Sequence, residues 1–209
     1  MEINKKLTLL TLISYFCVFI SFLIVILFHI FSEDYDPIMQ TMSEYTLGPF
    51  GFLFPIALLV LGLSSIISCY TLLKALPKTL FKKRIIQSFS LWTIFIIITA
   101  VFPTDYISGP YTYSGIIHAV ASFLAFLFLL FCIFFVAVFF KKSVKSRFDY
   151  IRFYVYFFLC VPGLIIFLII PLEYKGLTQR VFLGIIIIAY VDIITIPVRI
   201  IYSQKSKLK

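Results

Sequence analysis

Five polar side chains in this sequence have types and positions that suit work on a ligand: Glu44 in SEYTLGPFG, Asp105 in FPTD, His118 in SGIIH, Arg180 in GLTQR, and Glu173 shortly before that arginine. A guanidinium clamps an anionic group through paired N–H donors. Carboxylates orient such a group or pair with an imidazole, and a neutral imidazole near pH 7 serves as a general base. Glu44, Asp105, His118, Arg180 and Glu173 are therefore the candidate ligand-binding set, and His118, Asp105 and Glu44 the catalytic candidates. Ser43, Ser108 and Ser114 become nucleophiles only where His118 comes within hydrogen-bond reach. A second reading of the same residues is a purely structural ion-pair network, with Arg180 on Glu44 or Asp105, that ties loops together.

Other chemistries find less support. The chain holds two histidines, His29 and His118, too few for a three-histidine zinc site, and a mixed set with Asp105 and Glu44 has no recognisable ligand spacing. No metal and no cofactor is expected. GxSxG, HExxH, P-loop and dinucleotide-binding patterns are absent. Asp192, in IIIIAYVDIITIP, is a separate matter. An ionised carboxylate in the middle of a membrane span costs about 2.5–3.5 kcal/mol on the insertion scale. Arg199 shares its helical face but stands about 10 Å along the axis. Asp192 is thus expected to be neutral or paired, the leading hypothesis being a protonated intramembrane acid that donates a hydrogen bond, with proton relay as its functional competitor.

The elements that must position these residues are apolar helices. Of the 209 residues 62% are hydrophobic and only 13% charged, far from the roughly 45–50% apolar content of soluble domains. Six runs are long enough to cross about 30 Å of hydrocarbon: 7–31, 52–73, 85–102, 115–140, 153–170 and 181–201. No polar stretch between them is long enough to fold alone, so residues 1–209 read as a single all-α membrane domain, a six-helix bundle. The first run is too long for a signal peptide and no small-residue cleavage pattern follows it, so it reads as an uncleaved span.

The formal net charge of +9 is sorted by side. Sixteen of the 18 Lys and Arg fall in the N-terminal segment, two loops with the adjoining span ends, and the C-terminal tail; Lys175 and Arg180 are the exceptions. That is a positive-inside pattern rather than a nucleic-acid groove. It places both termini in the cytoplasm and the protein in the cell membrane, with membrane lipids as partners and no nucleic acid. KKSVKSR, from Lys141, suits anionic headgroups of the cytoplasmic leaflet. The opposite loops carry Glu33, Asp34, Asp36, Glu44, Asp105 and Glu173.

Short connections make sequence neighbours antiparallel hairpins. EYTLG, DYISG and EYKG, one in each outer loop, suggest a repeated hairpin, or else the meeting of interfacial tyrosines with loop acids at one depth. Pro162 and Gly163 predict a kink in the fifth span, and Pro197 a loosened end of the sixth. Cys17, Cys69, Cys132 and Cys160 lie in apolar runs as small buried residues. Ser114, His118, Ala121, Ser122 and Ala125 share one face of the fourth span, which should pack against other helices because small residues permit close approach in lipid.

The strings SEYTLGPFG, FPTD, SGIIH and GLTQR, in this order relative to the spans, resemble the domain-of-unknown-function 998 family of multi-pass membrane proteins. The resemblance runs from the second span to the sixth and implies about six helices. It also implies that Glu44, Asp105, His118 and Arg180 occupy the family's characteristic polar positions, and it brings no reaction with it. Three functions follow as expectations: an outward-facing polar pocket that binds a lipid headgroup or small amphiphile, an intramembrane lipid or ester hydrolase with His118 as general base, or a scaffold or accessory membrane subunit.

Overall fold

The structure is a computed structural model that describes residues 2–32, 35–144 and 146–206. Glu33 and Asp34, counted above among the outer acids, lie outside the described residues. Six α-helices account for most of the chain: α1 (Glu2–Phe31), α2 (Leu53–Ala75), α3 (Leu80–Val101), α4 (Tyr113–Phe139), α5 (Arg147–Ile169) and α6 (Lys175–Ser206). All six contain a stretch long and apolar enough to cross a membrane, and among the described residues there is no strand. A 3-10 turn, Met42–Leu47, precedes α2, a second, Leu172–Tyr174, precedes α6, and a π-helical turn, Phe140–Val144, ends α4.

The third and fifth apolar runs, 18 residues each, are the cores of longer helices. Thr79 caps α3 by accepting from Lys82 N, and Ser146 caps α5 by accepting from Asp149 N, so both helices begin several residues before their apolar runs. The added turns carry Lys82, Lys83, Arg84, Arg147 and Arg152, so each helix runs past its apolar core into a basic first turn or two. Pro162 lies inside α5, which remains one helix. A Cβ on the adjacent Gly163 would come within 3.1 Å of the Phe182 ring, so this glycine sets the close approach of α5 to α6. α6 continues through Pro197 to Ser206, longer than the expectation of a loosened end.

Neighbours in sequence pack as antiparallel pairs, and α6 closes the bundle against α1, α2 and α5. An even number of spans brings both chain ends to one face, called here the basic face; the loops 32–52, 102–112 and 170–174 form the acidic face. α4 supplies the most buried surface: Gly115, His118, Ala121, Ala125, Leu129, Cys132, Ile133 and Val136 all face inward. This is the small-residue face anticipated for His118, continued by larger apolar residues toward the basic face.

Halfway through the bundle sits a polar knot that the loops gave no reason to expect. Ser14 of α1 bonds Ser64 and Ser68 of α2 at 2.8 and 2.5 Å. Tyr190 of α6 lies 2.9 Å from Ser64 and 3.0 Å from Ser65, and the Trp92 indole N–H of α3 donates to Ser65 Oγ at 3.1 Å. In lipid, where apolar burial does not drive helix association, such bonds select which helix faces meet. The sequence signal was the run Ser64, Ser65, Ser68 on one face of the second span, with no charge to draw attention to it.

Candidate functional site

The acidic-face residues separate into three groups. Glu44 is buried in the 3-10 turn that it helps to close. Its Oε2 accepts from Thr41 N at 2.7 Å and from Thr41 Oγ1 at 2.9 Å, and its Oε1 accepts from Ile107 N, in the next loop, at 3.0 Å. A carboxylate that accepts two backbone N–H bonds from separate loops is a staple between them. Tyr35 donates a hydrogen bond from its hydroxyl to the Thr41 carbonyl and stacks on Tyr45 with ring centroids 3.8 Å apart. Burial, reinforced by the Glu44 charge, raises the Tyr35 phenol above its ordinary range, and burial raises Tyr45 against the opposing pull of Arg180. Both rings remain neutral hydrogen-bonding groups at physiological pH.

Arg180 has no carboxylate partner among the described residues. The expected pairing with Glu44 or Asp105 is replaced by neutral acceptors: Nη1 donates to the carbonyls of Pro37, Gln40 and Gly176 at 2.8, 2.9 and 3.0 Å, and Nη2 to Tyr45 Oη at 3.2 Å. Its Nε donates to His29 Nε2 at 3.1 Å, while His29 Nδ1 donates to the Val25 carbonyl at 2.8 Å. His29 is thus held as the neutral Nδ1–H tautomer, because Nε2 must offer a lone pair to the guanidinium. Gly176 stands under Arg180 with no room for a Cβ against the Pro37 and Gln40 carbonyls, and its N–H donates to Met39 O. The start of α6 and the loop after α1 are therefore locked around one cation. Glu173, proposed beside it, is exposed and makes no contact with it.

Asp105 closes its own loop, accepting from Thr112 N at 2.7 Å and Thr112 Oγ1 at 2.8 Å. Its carboxylate lies over Gly115, where a Cβ would overlap it, so a negative charge sits on the first turn of α4. That is the favourable end of the helix dipole.

His118, 3% exposed, lies one turn deeper. Its Nδ1 is 2.7 Å from the carbonyl oxygen of Phe102, the residue that ends α3. A carbonyl only accepts, so Nδ1 carries a proton and the neutral ring keeps its lone pair on Nε2. The ring therefore satisfies one of the carbonyls left over at a helix C-terminus, a group that is costly to leave unpaired in lipid. Ser43 is bonded to Thr41 and Ser114 to the Pro103 carbonyl; neither hydroxyl is hydrogen-bonded to His118.

Of the five candidate ligand-binding residues, His118 is the one that lines an internal cavity. A cavity of about 290 Å³ lies between α2, α3, α4, α5 and α6, with Trp92, Leu61 and Ile186 at its deep end. The walls are apolar, and its polar groups gather toward the acidic face: His118, Gln179, Thr41, Ser43, Thr99 and Thr104. The 3-10 turn forms the roof, held down where Gln179 Oε1 accepts from Met42 N at 2.6 Å. Gln179 Nε2 has no hydrogen-bond partner among the described residues. Ala119 and Phe123 of α4 and Leu168 of α5 combine a place in the lining with outward exposure, which opens the cavity sideways toward the lipid between these helices. Gln179 stands beside Arg180 in GLTQR, yet only its buried position marks it as part of a site.

Asp192 is paired, one of the two states expected of it. Its Oδ2 lies 3.0 Å from Arg152 Nε and accepts from Tyr156 Oη at 2.8 Å. Its carboxyl oxygen accepts the tyrosine hydroxyl beside a cation, because α5 brings Arg152 alongside it. Arg199 does not reach this carboxylate; it bonds Asp149 Oδ1 at 2.6 Å and the Asp192 backbone carbonyl at 3.4 Å.

Six spanning helices, loops locked by neutral and charged hydrogen bonds, and an apolar cavity under a polar roof define an integral, multi-pass membrane protein. The chain belongs to the DUF998 family, described as protein of unknown function, which matches residues 16–193. No curated protein and no solved structure matches it.

Proposed function

We propose that this protein binds a small amphiphile or a single lipid chain in the cavity under the Met42–Leu47 turn. The observation that carries the reading is a cavity of about 290 Å³ with an apolar body and a polar end. Its size stands at the lower limit of small-molecule pockets, roughly 300–1,000 Å³, which suits one chain rather than a whole phospholipid. His118 Nε2 offers a lone pair and Gln179 an amide N–H, so the polar end of the ligand carries both a donor and an acceptor, as an alcohol, a primary amide or a protonated acid does. Glu44, Asp105 and Arg180 act one step removed: they hold the roof and the ends of α4 and α6 in place instead of touching the ligand. The binding of a charged headgroup by Arg180 therefore gives way to recognition of a neutral polar end. The basic loops support a cell-membrane location with both termini in the cytoplasm.

Hydrolysis by His118 as general base has the imidazole's place in the cavity wall in its favour, but among the described residues no hydroxyl is hydrogen-bonded to His118, so binding is the better supported reading. The scaffold reading describes the Glu44 and Arg180 staples well and leaves the cavity unexplained. The test uses Ala119→Trp, which blocks the lateral mouth from an exposed position. Native mass spectrometry of protein purified in mild detergent should show a retained small amphiphile on the wild type and its loss in the variant, with both unfolding at the same temperature. A wild type that retains nothing, or a variant that retains as much, overturns the proposal.

A further inference from the structure

On the basic face a second cleft, of about 370 Å³, opens between α1 and α5 over one side of α6. Arg152, Arg199 and Asp192 line it together with hydroxyls from α1 and α6, Thr8, Tyr15 and Thr195 among them. The two arginines are nominally matched by Asp149 and Asp192, but the match is geometrically incomplete. Asp149 Oδ1 receives both Arg152 Nη2 at 2.9 Å and Arg199 Nη1 at 2.6 Å. Asp149 Oδ2 is taken by Ser146 Oγ, and Asp192 Oδ2 is shared between Arg152 and Tyr156. Both Nε atoms are buried without a well-aligned hydrogen bond, and the contacts of Arg152 with the two carboxylates run through Nη2 and Nε, leaving Nη1 unused among the described residues. Two guanidiniums thus border a cleft with part of their Nη N–H groups unspent, since the two carboxylates and the Asp192 carbonyl take only some of them.

We infer that this cleft is a binding site for a phosphate group, presented by a lipid of the leaflet at the basic face. Phosphate oxygens match the planar guanidinium fork and take up donors that the two carboxylates leave over. The surroundings favour an anion further, since Lys5 and Lys6 begin α1 on the same face. The cleft is also continuous with an apolar track: Leu12 at its rim, then Phe16 and Phe19, are exposed one turn after another along α1, a path for acyl chains. Thr8 and Thr195 already donate their hydroxyl protons to carbonyls of their own helices, at 2.9 and 2.6 Å, and so present oxygen lone pairs to headgroup hydroxyls. Phosphatidylglycerol, with a phosphodiester and a free diol, is the matching probe.

The full chain in phosphatidylcholine nanodiscs is titrated with phosphatidylglycerol vesicles in one arm and inorganic phosphate in the other, with thermal unfolding and native mass spectrometry as readouts. Two variants accompany it. Arg152→Gln combined with Asp192→Asn removes both halves of one ion pair and so leaves no orphaned charge. Leu12→Trp blocks the mouth and leaves every ion pair in place. The expected result is a rise in unfolding temperature and one retained phosphatidylglycerol on the wild type, weakened about fivefold or more by the double substitution and lost in Leu12→Trp. A rise with inorganic phosphate as well supports the site and assigns recognition to the phosphate alone; a rise with vesicles only assigns it to the lipid. Absence of both responses, or phosphatidylglycerol binding unchanged in both variants, overturns the inference.

Discussion

His118 has two faces and each does different work. Nδ1–H closes the C-terminus of α3 by donating to Phe102 O, and the same ring lines the cavity. The two roles separate by substitution. His118→Leu leaves a buried carbonyl unpaired and is expected to lower stability by about 1–3 kcal/mol. His118→Asn places an amide N–H where Nδ1–H was, so it should keep most of that stability while losing the retained amphiphile. Unfolding curves in detergent, paired with native mass spectrometry, check both; a Leu variant that unfolds like the wild type removes the capping role. The imidazole stood out from sequence because it is an ionisable group inside a span. Gln179 did not, because an amide beside an arginine at the start of a helix reads as ordinary interfacial polarity.

At the scale of elements, the junction of α6 with the loop after α1 depends on one cation surrounded by carbonyls. Arg180→Ala removes bonds to Pro37, Gln40 and Gly176 and frees His29, so it should cost about 1.5–3 kcal/mol and release the backbone around residues 37–45 to hydrogen exchange. Glu173→Gln, at an exposed position without contacts, should change stability by less than about 0.5 kcal/mol. Equal effects of the two substitutions, measured by thermal unfolding, would contradict the staple. Helix existence was legible in the apolar runs, and the short third and fifth spans were extended by capping residues, Thr79 and Ser146, that are visible in the sequence. The partners of Arg180 were not legible, since three are backbone carbonyls that carry no side-chain signature. Nor was the pairing of Asp192 with Arg152, which depends on the rotation of α5 about its axis. Spans that are apolar all round give no stripe from which to read such a rotation.

As a whole molecule, the protein gathers its described charged residues toward its two faces and keeps a network of neutral polar groups at intermediate depth. The loop charges predicted that sorting, and the serine–tyrosine–tryptophan knot shows how the helix faces are then chosen. Trp92 belongs to both systems: its N–H bonds Ser65 in the knot, and its ring ends the cavity. The knot therefore sets the depth of the space that the acidic-face loops cover, and the loop staples hold the roof over it. Membership of the DUF998 family adds no reaction to this picture, so the contents of the cavity decide it. The most direct measurement is an experimental density map of the protein extracted with its native lipids and without detergent exchange. The account predicts elongated, non-protein density from Trp92 to the space between His118 and Gln179, ending in a polar group under the Met42–Leu47 turn. A cavity collapsed by side chains, or holding only water along its apolar walls, would contradict it.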